Sequence, residues 1–111
     1  MPTNTKPTPP LACDLTAIPL EHRDAHQSTA QTLFNRVQAT QELPDGYAFQ
    51  LPNDSKTFLQ AAQFIAHERE CCPFFTFTLE LEAANGPLWL RLTGPVEVKQ
   101  VIQAEFRALL P

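Results

Sequence analysis

Apolar and polar positions along this chain alternate between two periods, and the change of period marks out the elements. From Leu20 onward, Ala30, Leu33, Phe34 and Val37 recur at the three- and four-residue spacing of a helical face. Pro19 suits the first turn of such a helix. The spacing predicts a helix over residues 19–36, with His22, Arg23, His26 and Gln27 on its opposite, solvated side. Ahead of it, Leu11–Leu15 is a short apolar patch compatible with a strand or a turn.

The period then shortens to two. Val37–Leu43 reads as a strand, Pro44-Asp45-Gly46 as a turn, and Tyr47, Phe49 and Leu51 as one face of a return strand. A second hairpin follows. In residues 75–82, Phe75, Phe77, Leu79 and Leu81 share one face, and Thr76, Thr78, Glu80 and Glu82 the other. Asn85-Gly86 is a strong signal for a tight hairpin turn. The return strand sets Leu88, Leu90 and Leu92 against Trp89, Arg91 and Thr93. Such alternation predicts a sheet with one packed face and one open face.

Each hairpin runs into a helix. Residues 53–55 offer N-caps, and Phe58, Ala62 and Ile65 stripe a helix that extends to Glu70. After Gly94-Pro95, Val98, Val101, Ile102, Glu105 and Leu109 line one side of a last helix. The expected fold is α+β: an N-terminal helix, then two hairpin-plus-helix units. Together they form a four-stranded antiparallel sheet with helices on one face.

Composition narrows the class. At 111 residues the chain makes one domain, and 43% hydrophobic residues with eight phenylalanines suffice for its core. Residues 1–10 hold four of the eleven prolines and no apolar periodicity, so they read as a disordered tail ahead of a single domain over 11–111. No secretory signal and no membrane-length apolar run is present, which predicts a cytoplasmic protein. A net charge of −4 with scattered Lys and Arg argues against nucleic-acid and membrane partners.

The chemistry worth weighing centres on Cys71-Cys72, with Cys13 the third cysteine of the chain. An odd count in a reducing compartment argues for free thiols rather than a disulfide framework. Pro73 disfavours helical geometry in the residue before it, so the pair must sit where the helix gives way to the next strand. Along that helix, Cys71 shares a face with Phe64, His67 and Glu68, and Cys72 lies beside Ile65, Glu68 and Arg69. The negative end of the helix and the neighbouring carboxylates raise a thiol's pKa, which disfavours an activated nucleophile. A metal ion overrides that penalty because its own charge drives thiols to thiolates. Adjacent sulfurs suit Zn(II), Cu(I), Hg(II) or a trivalent metalloid. The candidate ligands are Cys71 and Cys72, with Cys13, His67 and Glu68 as additional donors.

The run Glu68-Arg69-Glu70-Cys71-Cys72-Pro73-Phe74-Phe75, with Gly86-Pro87-Leu88-Trp89-Leu90-Arg91-Leu92-Thr93-Gly94 after it, resembles a family of small uncharacterised bacterial proteins. Those carry E-R-x-C-C-P-F followed by G-P-x-x-L-x-x-T-G. No activity is established for that family, so the resemblance implies no catalytic role.

Other candidates are weaker. His22 and His26 stand four residues apart, a spacing that two metal-bound imidazoles use, yet no third ligand adjoins them in sequence and they read as surface residues. Trp89 and Arg91 share the open sheet face and suit a homodimer interface. The leading reading is a thiol-based metal or metalloid binding domain and not an enzyme. The alternative is a structural, self-associating domain with its cysteines packed in the core, since free cysteine is often buried. A thiol redox enzyme comes third.

Overall fold

The computed structural model describes residues 14–106, so the N-terminal tail, Cys13 and Leu109 lie outside the described residues. A short 3-10 turn (Leu15–Ala17) leads into α1 (Leu20–Phe34). The first hairpin, β1 (Ala39–Leu43) and β2 (Gly46–Leu51), runs into α2 (Ser55–Cys71). The second, β3 (Thr76–Leu81) and β4 (Leu88–Thr93), runs into α3 (Val98–Glu105). The α+β arrangement expected from the periodicity is the one observed.

The sheet order is β1-β2-β4-β3, every pair antiparallel. The two return strands therefore meet in the middle, and the leading strands form the edges. Burial explains the choice. β2 and β4 carry Tyr47, Phe49, Leu51, Leu88, Leu90 and Leu92, all buried, whereas β1 and β3 are largely exposed. The central pair is in close register, with Phe49 opposite Leu90 and Tyr47 opposite Leu92. At its end, a Cβ on Gly46 would collide with the Leu92 carbonyl oxygen, so the approach of β2 to β4 requires glycine there.

The second hairpin turns one residue earlier than Asn85-Gly86 predicts. Gly86 N–H donates to the Ala83 carbonyl at 3.1 Å, which makes Ala84 and Asn85 the central residues. Both adopt positive φ, 59° and 58°, as a type I′ turn demands. Asn85 tolerates that region, while Ala84 has no side-chain group to compensate it.

The helices cover one sheet face. Phe34 of α1, Phe49 of β2, Phe64 of α2 and Phe106 after α3 pack ring against ring with centroids 4.7–6.3 Å apart. Tyr47 reaches α3 from the same face, its hydroxyl accepting from Gln103 at 3.0 Å. The other face carries Trp89 and Arg91, half-buried, with Arg91 paired to Glu80 at 2.9 Å. None of the helices among the described residues is long and apolar enough to cross a membrane.

Candidate metal centre

Helix α2 starts at Asp54, whose carboxylate accepts the Thr57 backbone N–H at 2.8 Å, a standard N-cap. Its far end is set by Pro73. Cys72 N–H still donates to the Glu68 carbonyl at 2.7 Å, but Cys72 itself has left helical geometry, with φ −126° and ψ 69°. The last turn thus presents Glu68, Cys71 and Cys72, at i, i+3 and i+4, to one side.

That side faces inward. Cys71 is 2% exposed, Cys72 0%, Glu68 5% and His26, reaching over from α1, 4%. Five side-chain contacts define the cluster. Cys71 Sγ lies 3.5 Å from Cys72 Sγ and 3.6 Å from Glu68 Oε1, to which its S–H donates. Cys72 Sγ lies 3.4 Å from Glu68 Oε2 and 3.9 Å from Glu105 Oε2. His26 Nε2–H donates to Glu68 Oε1 at 2.8 Å, since a carboxylate can only accept. The amino-terminal segment docks at the same corner, where Asp14 N–H donates to the Cys71 carbonyl at 2.7 Å. A cleft of about 190 Å³, lined by His26, Phe64, Glu68, Glu105 and Phe106 among others, opens onto the cluster.

Crowding of acidic groups away from water shapes their proton affinities. Burial, reinforced by the Glu68 charge and hydrogen bond and by Glu105, pushes the Cys71 thiol up to about 12. Burial and the Glu68 charge raise Glu105 to about 7, with His26 opposing them. The sequence argument expected a thiol that resists ionisation, and the direction agrees. The dominant cause is burial rather than the helix end.

Comparison with known proteins returns no matching family model, no matching curated protein and no matching solved structure. The site must be read from its own geometry.

Of the residues singled out in the sequence, Cys71, Cys72 and Glu68 are brought together. His67 is not part of the cluster: it points along the α1–α2 surface, stacking on His22 with ring centroids 5.3 Å apart, its Nδ1 3.7 Å from Glu70. Cys13 lies outside the described residues. Cys71 is a free thiol, but Cys72 is disulfide-bonded. The expectation of free thiols holds for Cys71 and is corrected for Cys72, since an odd count still permits a bridge.

Two members were missed. His26 was read as a solvated residue, yet it continues the stripe of Ala30, Leu33 and Phe34 backward at helical spacing, and α2 covers it. Glu105 is the one carboxylate in the apolar stripe of α3. In both cases the signal was a polar residue at an apolar position.

Proposed function

We propose that the chain binds a thiophilic metal or metalloid ion at the end of α2, through Cys71, Cys72 and Glu68, with Glu105 closing the site. Donor spacing carries this reading. On a tetrahedral ion with metal–sulfur bonds of about 2.3 Å and metal–oxygen bonds of about 2.0 Å, neighbouring donors stand roughly 3.5–3.8 Å apart. The observed separations run 3.4, 3.5, 3.6 and 3.9 Å. Once the Cys72 disulfide is reduced, little further rearrangement is required to admit an ion. Two sulfurs with carboxylate oxygens suit Zn(II) best. Hg(II), Cu(I) or a trivalent metalloid would draw chiefly on the sulfurs. His26 acts as the outer partner, holding Glu68 in place as hydrogen-bonded second partners do for metal-bound carboxylates.

The ion also accounts for an otherwise costly arrangement. The buried Glu68 and two sulfurs, with the exposed Glu105 closing on them, repel once ionised, and a cation reverses the sign of that interaction. With Cys72 in a disulfide only one thiolate is on offer, so the binding state is the reduced one.

The competing reading, a structural domain whose cysteines fill the core, is favoured by the near-complete burial of both sulfurs. It leaves unexplained why Glu68 and Glu105 converge on them. A thiol enzyme is least favoured, because a thiol raised to about 12 is a poor nucleophile at neutral pH. Zn(II) titration of the reduced protein against a competing chelator tests the proposal. Wild type should take up one equivalent that Cys71→Ser/Cys72→Ser loses; equal uptake by both would end it.

A further inference from the structure

Glu68 belongs to two groups of donors, and the disulfide disables only one of them. Among the described residues, Glu68, Cys72 and Glu105 form one trio of donor atoms within 4.8 Å of one another, and His26, Glu68 and Cys71 form the other. The thiol site proposed above draws on Cys72 and is complete only when that residue is reduced. The second trio does not include Cys72, and its own thiol, Cys71, is free. All three of its members are buried.

The geometry of this trio fits an ion. On a tetrahedral cation a nitrogen, an oxygen and a sulfur donor stand roughly 3.3–3.6 Å apart. Cys71 Sγ is already 3.6 Å from Glu68 Oε1. His26 Nε2 is 2.8 Å from the same oxygen. That hydrogen bond opens by about half an ångström as an ion takes the place of its shared proton.

A second, independent observation concerns the far side of the His26 ring. A donor facing Nδ1 would lock the ring's proton onto Nε2. Among the described residues Nδ1 is buried with no hydrogen-bond partner, so no neighbour holds the ring in one tautomer. The proton can pass to Nδ1 and leave Nε2 bare for a metal, while Phe64, stacked 5.6 Å away, keeps the ring in place. The cleft of about 190 Å³ that His26 and Glu68 line has room for water beside the trio.

We infer that the disulfide form of the chain keeps a metal site of its own, in which His26, Glu68 and Cys71 bind a borderline divalent cation, Zn(II) or Co(II), with water from the cleft as fourth ligand. One nitrogen, one oxygen and one sulfur suit that class, whereas Cu(I) and Hg(II) seek a second sulfur. The site shares Glu68 and Cys71 with the thiol site and rests on neither Cys72 nor Glu105. Oxidation of Cys72 thus changes the setting of the ion. Four protein donors enclose it in the reduced form; three hold it, more weakly, in the disulfide form, and one position stays open to a small ligand.

Co(II) titration of wild type without reductant, so that the Cys72 disulfide persists, tests this. One equivalent should bind, with the charge-transfer band of a single thiolate on cobalt. Cys71→Ser should remove the band, and His26→Gln should weaken binding at least tenfold. Because His26 also braces the fold, ring-nitrogen NMR of the wild type supplies a readout that needs no variant. Zn(II) should move the His26 signals and leave those of His22 and His67 in place. No cobalt band in the disulfide form, a band that survives in Cys71→Ser, undiminished binding by His26→Gln, or His26 signals unmoved at saturating Zn(II) would each overturn the inference. Uptake by the reduced form is measured separately. Uptake there and none by the disulfide form sinks this inference alone; the reverse sinks only the two-sulfur reading.

Discussion

His26 of α1 and Glu68 of α2, 42 positions apart in the chain, meet through a 2.8 Å hydrogen bond sealed from solvent. This contact ties the two helices together and fixes the carboxylate against both sulfurs. Removing one partner strands the other. His26→Leu should cost about 2–3 kcal/mol in urea unfolding, since it leaves a buried acceptor without its donor. The double variant His26→Leu/Glu68→Leu should recover most of that loss, because an apolar pair of similar volume replaces a desolvated polar one.

Proton linkage runs in opposite directions for the metal-free fold and for metal binding. Glu105 is raised to about 7 from an ordinary value near 4.5, so between those two values the folded chain holds more protons than the unfolded one. The stability it contributes is present below that window and is lost as pH rises through it. Glu105→Gln should flatten this dependence and stabilise the metal-free protein at pH 8. The gain is about 1 kcal/mol once the exposed position of the residue is discounted. Thermal unfolding at pH 5 and pH 8 measures both effects.

Metal uptake should strengthen with pH instead. Each thiol must release its proton to bind, and Cys71, at about 12, holds its proton throughout the neutral range. Affinity for Zn(II) should climb by about tenfold per pH unit for each proton displaced. Chelator competition between pH 6 and pH 8 gives the slope, and a flat profile would exclude thiolate ligation.

Reduction should switch the thiol site on. A dithiol reductant converts the Cys72 disulfide to two thiols and is itself oxidised to its cyclic disulfide, which frees the Cys72 sulfur already at the corner to ligate as a thiolate. Zn(II) affinity measured with and without such a reductant should differ by at least two orders of magnitude. Similar values in both states would show that Cys72 is not a ligand.

Away from the site, the second hairpin carries strain at Ala84. A left-handed conformation costs an L-residue roughly 1–2 kcal/mol, and glycine avoids it at an entropic cost of roughly 0.5–1 kcal/mol. Ala84→Gly should therefore raise stability by about 0.5–1 kcal/mol in urea unfolding, with metal affinity unchanged.

Much of the fold was legible because its elements change period cleanly. The strict alternation from Phe77 to Leu81 and from Leu88 to Leu92, and the stop at Pro73, place strands and helix end within a residue or two. The sheet order was not legible, because adjacency of β2 and β4 depends on which strands bury more apolar surface once both hairpins dock. Local spacing found Glu68, Cys71 and Cys72, which lie on one helical turn. It marked His26 and Glu105 only as polar residues at apolar positions of their own helices, without showing that they meet the α2 turn, and it could not separate His67 from the cluster. His67 adjoins Glu68 in sequence, yet the helical twist carries its ring round to α1, against His22.

The account rests on two sulfurs and at least one carboxylate sharing an ion, and X-ray absorption at the metal edge of the reduced, Zn(II)-loaded protein tests this most directly. It predicts two sulfur scatterers at about 2.3 Å together with oxygen at about 2.0 Å, and loss of the sulfur shell in Cys71→Ser/Cys72→Ser. A first shell made only of oxygen and nitrogen in the wild-type protein would contradict it.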